Sequence, residues 1–110
     1  MTGRTREPEN CLWCGRPVAD APLGRRRRYC RRSCRQRAYE QRTLTREAGL
    51  PEDAVVLTAE EASAVADRAF EVRCAAEDVA TAVGEGAGPA ELAALCDELV
   101  RLARAAERLR

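Results

Sequence analysis

The chain has 110 residues, room for one ordinary domain or two very small ones, and units that small bury too little apolar surface to be stable on size alone. Its net charge of +1 hides a polarity: residues 1–48 carry 13 arginines against 5 acids, or +8, and residues 49–110 carry 6 arginines against 13 acids, or −7. There is no histidine, no set of groups for a catalytic triad, no phosphate-cradling glycine loop and no apolar run near the roughly 18 residues of a membrane span, so neither an enzyme with a small-molecule substrate nor a membrane protein is expected.

Residues 1–10 are polar, contain Pro8 and lack the apolar stretch of a signal peptide. They read as a flexible tail on a cytoplasmic protein whose thiols stay reduced. In that compartment closely spaced cysteines indicate metal or redox chemistry rather than a disulfide framework.

Residues 11–48 form the first module. Cys11-Leu12-Trp13-Cys14-Gly15-Arg16-Pro17 is a C-x2-C turn, punctuated by Gly15 and Pro17. Val18 to Leu23 is a short strand or an irregular loop, broken by Pro22 and Gly24. After fifteen intervening residues comes a second pair, Cys30 and Cys34, spaced C-x3-C. From Arg31 to about Glu47 there is no proline or glycine, the composition favours helix, and Gly49 and Pro51 end it. Two short-spaced pairs within 24 residues are the ligand pattern of a structural Zn2+ site, held by Cys11, Cys14, Cys30 and Cys34. An iron site on the same sulfurs is the alternative, and a redox C-x2-C is disfavoured because a second pair stands ready to close the coordination sphere. A helix start favours thiolate at the second pair, where residues four apart share a face. Four thiolates on a divalent ion leave a formal −2, which Arg31, Arg32, Arg35 and Arg16 are placed to offset. A closed sphere has no position for an activated water. Trp13, inside the turn, should shield the site.

The arginines continue through this module. Arg25, Arg26, Arg27 and Arg28 precede the third ligand, and Arg31, Arg32, Arg35, Arg42 and Arg46 follow it; Arg31, Arg35, Arg42 and Arg46 fall on one broad helical face. Such a face suits phosphates, and makes DNA the expected partner through its backbone. Gln36, Gln41 and Arg35 are candidates for base edges. Tyr29 and Tyr39 are placed to stack or to pack, and in so small a module they are expected in its core. The competing reading makes the arginines a solvated face, thiolate counter-charges, or a dock for an acidic protein. All 19 basic residues are arginine, which fits a GC-rich genome as well as a choice of arginine over lysine.

Residues 49–57 are a linker whose apolar end, Val55-Val56-Leu57, is expected to pack on a neighbour. Thr58 with Glu61 makes a capping box, so a helix is expected over about 59–83. Gly84 to Gly88 is a hairpin loop, Pro89 suits a first helical position, and a second helix follows over about 89–109. Ala62, Val65, Ala69, Val72, Ala76, Val79 and Val83 on the first, and Leu92, Leu95, Leu99, Leu102, Ala106 and Leu109 on the second, repeat at alternating spacings of three and four. That is a coiled-coil seam on each, and predicts an acidic antiparallel hairpin over 58–110. Phe70 lies off the seam and faces either a second copy, giving a homodimer, or the linker and first module. Cys74 and Cys96 read as buried free thiols.

The run Cys11-Leu-Trp-Cys-Gly-Arg-Pro-Val18, followed by Gly24-Arg-Arg-Arg-Arg-Tyr-Cys-Arg-Arg-Ser-Cys-Arg-Gln-Arg-Ala-Tyr39, resembles a small zinc-ribbon or treble-clef module of actinobacterial proteins, often found beside DNA-binding regulators. Its ligand spacing is also similar to that of the small zinc-containing DNA gyrase inhibitor family. The likeness covers residues 11–42. It implies a treble clef with a knuckle at Cys11 and Cys14 and a helix start at Cys30 and Cys34. The expected fold is therefore mainly α: a small treble-clef zinc module followed by an antiparallel two-helix hairpin. The expected function is zinc-dependent DNA binding in transcription regulation. A protein-interaction adaptor or inhibitor without DNA contact is the alternative.

Overall fold

The computed structural model describes residues 10–18 and 27–110, in two compact units, Met1–Val56 and Leu57–Arg110. Residues 1–9 of the expected tail, residues 19–23 of the possible strand, and Gly24, Arg25 and Arg26 lie outside the described residues. The fold is mainly α, as expected: a cysteine cluster precedes three helices, α1 (Arg32–Glu47), α2 (Ala59–Gly84) and α3 (Pro89–Ala106). Among the described residues the one element of β pairing is an isolated antiparallel bridge, Asn10 to Pro17. None of these helices is long and apolar enough to cross a membrane.

In the first unit, α1 starts after Arg31 in extended backbone, with no side-chain cap and no acid in its first turn. Its inner face buries Cys34, Ala38 and Thr45. At its end the Gly49 N–H donates to the Arg46 carbonyl at 3.2 Å and the Leu50 N–H to Thr45 at 3.0 Å, the paired bonds of a Schellman close. Beyond it, the Ala54 N–H donates to the Pro51 carbonyl at 3.0 Å, and the Gln41 side-chain amide donates to the Val56 carbonyl. Val55 and Val56 are exposed and Leu57 is half-buried, so only the last residue of the linker's apolar end is withdrawn from solvent as the sequence suggested. The linker is held to α1 through a backbone carbonyl instead.

In the second unit, the capping box forms as read. The Glu61 N–H donates to Thr58 Oγ1 and the Thr58 N–H to Glu61 Oε1, both at 3.0 Å. α2 closes on Gly86, whose φ of 74° lies in the left-handed region that an L side chain resists. Gly86 and Ala87 return their N–H groups to Val83 and Ala82, and Pro89 then opens α3 at its first turn. α3 ends at Ala106, short of Leu109.

The two helices pack as an antiparallel hairpin, but not on the whole of the expected seam. Leu92, Leu95, Leu99, Leu102 and Ala106 of α3 and Val65, Val72 and Val79 of α2 are half-buried as expected. Ala62, Ala69, Ala76 and Val83, the other half of the α2 seam, are exposed, and Leu109 with them. Their place is taken by Arg68, Ala75 and Ala82, the last two buried. At 100° per residue this turns α2 by about 50° from the expected orientation. Alanines surround α2, so two stripes share the same valines and differ little in apolar area. The stripe that packs also carries Glu61 and Arg68 inward. Arg110 Nε meets Glu61 Oε2 at 2.8 Å, and Arg68 Nη2 donates to the Arg108 carbonyl at 2.7 Å, tying the open end of the hairpin.

Burial pushes the Glu61 carboxyl up, but the Thr58 N–H and the Arg110 guanidinium outweigh it and hold the carboxyl below its ordinary value. A depressed folded pKa gives stability that is present above the unfolded value and is lost as pH falls through the folded one. The hairpin's Tm should therefore drop from about pH 5 downward by more than in Glu61→Gln, a difference of about 1 kcal/mol or less read by thermal melts at several pH values. Parallel pH profiles for the two proteins would refute this role for Glu61.

Candidate metal centre

The first pair of cysteines is set by a turn. The Gly15 N–H donates to the Cys11 carbonyl at 2.9 Å and the Cys11 N–H to the Arg16 carbonyl at 2.7 Å, so the chain folds back at once. Gly15 takes a φ of 78°, a left-handed conformation that the tight reversal uses and that an L side chain resists. The N–H groups of Cys14, Cys30 and Trp13 reach the Cys11 sulfur, and that of Arg16 reaches the Cys14 sulfur. The second pair is set by α1: Cys30 lies just ahead of it and Cys34 in its first turn. One backbone bond, the Leu12 N–H to the Arg28 carbonyl at 2.9 Å, joins the turn to the approach to Cys30.

These two pieces bring the Sγ atoms of Cys11, Cys14, Cys30 and Cys34 all within 4.8 Å of one another. Cys14 to Cys30 is 3.5 Å and Cys30 to Cys34 is 3.6 Å. Sulfurs bound tetrahedrally at about 2.3 Å from one ion stand about 3.8 Å apart, whereas a disulfide needs about 2.05 Å. The spacing is that of a shared ion, and all four thiols are free. Cys11, Cys14 and Cys34 are buried, with Val18, as the core of the unit, and Trp13 and Tyr29 pack against them. Trp13 shields the site, as its position in the turn suggested.

The electrostatics of the four thiols differ from one to the next. Burial raises the Cys11 thiol, but the three amides aimed at it bring it below its ordinary value. Burial likewise raises Cys14, yet the Arg16 N–H, the Cys30 thiol and the Arg16 side chain bring it down to about 6. Cys34 is pushed up to about 12, first by burial and then by its bonds to Cys30 and Cys14 and by the charge of neighbouring sulfurs. The helix start alone would favour thiolate there, and the crowded sulfurs prevail. Thiolate is favoured at Cys11 and Cys14 and disfavoured at Cys34, and a positive ion among the four sulfurs would offset that last cost. An all-sulfur tetrahedral set selects soft or borderline ions and leaves no open coordination position.

Of the arginines placed to offset the sulfurs, Arg31 and Arg16 do so. Arg31 hydrogen-bonds the Cys30 sulfur and feels the charge of Cys30, Cys34 and Cys14, which together raise its own pKa. The Arg16 side chain hydrogen-bonds Cys14. Arg32 and Arg35 stand exposed on α1. Arg27, Arg28, Arg42 and Arg46 are exposed too, and Arg42 donates to the Tyr29 hydroxyl at 3.1 Å. The ion pairs of the described residues, Arg73–Glu77, Arg101–Glu98 and Arg110–Glu61, use none of the α1 guanidiniums.

Two other residues differ from expectation. Tyr39 is not core: its α1 position faces away from Cys34 and Ala38, and it is 60% exposed. Cys96 is exposed and Cys74 half-buried, both free, so only Cys74 approaches the small-hydrophobe role read for the pair.

No protein-family model, curated protein or solved structure matches this chain. The resemblance of residues 11–42 to actinobacterial treble-clef modules thus rests on the cysteine motif and its surroundings.

Proposed function

We propose that the chain is a zinc-binding, DNA-binding accessory or regulatory protein, in which Cys11, Cys14, Cys30 and Cys34 hold one Zn2+ and α1 lies on the phosphate backbone. The observation that carries the metal half is four free sulfurs at tetrahedral-ion spacing with amides and two guanidiniums turned toward them. The ion's part is structural: it orders the unit and fixes α1. What supports the DNA half is that Arg32, Arg35, Arg42 and Arg46 lie exposed on α1, outside the ion pairs of the described residues, with Arg31 exposed just ahead of the helix. Arg27 and Arg28 lead into the same face, and Arg25 and Arg26 adjoin it in sequence. The resemblance to modules that accompany DNA-binding regulators points the same way. A salt titration of binding to a mixed-sequence duplex and to its single strand tests this half, and the adaptor or gyrase-inhibitor reading gains if neither binds at low salt.

The hairpin is assigned to self-association or partner recruitment. α3 has no fully buried residue, and Phe70, Val83 and Val100 stand exposed, Phe70 with the Arg73 guanidinium 5.0 Å from its ring centroid. Light scattering should then give the mass of a dimer for the intact chain and of a monomer for Phe70→Glu. A monomer in both would leave partner recruitment as the hairpin's role.

A further inference from the structure

Resting on the nucleic-acid reading of α1, we infer that Tyr39 is a base-stacking residue, so that this face prefers single-stranded nucleic acid to duplex. The first unit has three aromatic side chains. Trp13 and Tyr29 pack on the cysteine cluster, and Tyr39 alone does not. Solitary exposed aromatics are common on protein surfaces, so exposure by itself decides nothing. The position decides. At 100° per residue, Tyr39 sits among Arg32, Arg35, Arg42 and Arg46, with Arg35 one turn before it and Arg42 one turn after. Its ring has no hydrogen bond and no ring contact among the described residues, whereas the hydroxyl of Tyr29 is taken by Arg42. From Arg32 to Arg46 the face runs roughly 21 Å, room for several nucleotides.

Of the three base-edge candidates, both amides are occupied and only the Arg35 side chain is exposed without a partner among the described residues. Gln36 Nε2 donates to Glu40 Oε1 at 3.2 Å, and Gln41 Nε2 is spent on the Val56 carbonyl. These were the amides suited to base edges, and their engagement leaves guanidiniums and one bare ring. Arginines for phosphates and an aromatic face for a base is the make-up of a sequence-tolerant single-strand binder, because every base has a π-face and a paired, stacked base offers none.

The test is fluorescence anisotropy on zinc-loaded full chain, with a labelled mixed-sequence single strand and the same strand annealed to its complement. The wild type should bind the single strand about tenfold more tightly than the duplex. Tyr39→Ala should lose that factor on the single strand while keeping duplex affinity and the salt dependence. Tyr39→Phe, which keeps the ring, should behave as wild type. Trp13 emission and metal content of the variants control for folding. Equal binding of both forms, or a Tyr39→Ala protein that matches wild type on the single strand, overturns the stacking role and leaves the arginine face standing. Failure of the wild type to bind either form at low salt overturns the nucleic-acid reading itself.

Discussion

Removing the metal with a chelator is expected to unfold Met1–Val56 and to leave the α2–α3 hairpin helical. The core of the first unit is Cys11, Cys14, Val18 and Cys34, with Trp13, Tyr29 and Cys30 partly buried around it. Three of its four buried members are cysteines of the candidate metal centre, so without an ion the core is little more than a small set of crowded sulfurs. Binding of a structural zinc is worth on the order of 10 kcal/mol in small modules, more than so small an apolar cluster supplies. The readout is local, because Trp13 is the chain's one tryptophan and it covers the site. Its emission should shift to that of a solvated indole on chelation, while far-UV circular dichroism keeps the share of α2 and α3. Cys34→Ser, which removes a ligand at the α1 start, should act in the same direction and weaken metal affinity by more than about 100-fold. Unchanged Trp13 emission after complete chelation would mean that the unit folds on its own packing.

The second large effect is expected in the salt dependence of DNA binding. Each phosphate neutralised by an arginine contributes about 0.9 to the slope of log affinity against log salt. If Arg32, Arg35, Arg42 and Arg46 meet phosphates, duplex affinity falls roughly 100-fold between about 50 and 200 mM salt. The combined Arg35→Gln, Arg42→Gln, Arg46→Gln variant should lower that slope by about 2.7. None of the three is buried or ion-paired, so α1 should survive the change. A slope that does not move would show that these arginines are a solvated face. The same variant keeps Arg31 and Arg16, which face the sulfurs, so its metal content should match wild type.

Much of this was legible in the sequence because the deciding features are local. Two cysteine pairs at short spacing define a donor set, Thr58 with Glu61 and Gly88-Pro89 define helix starts, and Gly49 and Gly86 define ends. Each is settled by backbone sterics or by a bond spanning a few residues. The orientation of α2 was not legible, because it depends on a comparison between two alanine-rich stripes that periodicity ranks as equals. What separates them is the meeting of Glu61 with Arg110 and of Arg68 with the Arg108 carbonyl, contacts forty or more residues apart. Tyr39 was misplaced for a related reason. The size of the module argued for core, but its register on α1, four residues from Arg35 and one from Ala38, puts it on the outer face. A helical projection anchored on Cys34 could have found it.

The account depends most on one ion shared by four sulfurs. Elemental analysis of protein purified without added metal measures this directly. About one equivalent of zinc per chain, lost when any of Cys11, Cys14, Cys30 or Cys34 is replaced by serine, is the expected result. Less than about half an equivalent of any transition metal in the unaltered chain would contradict it.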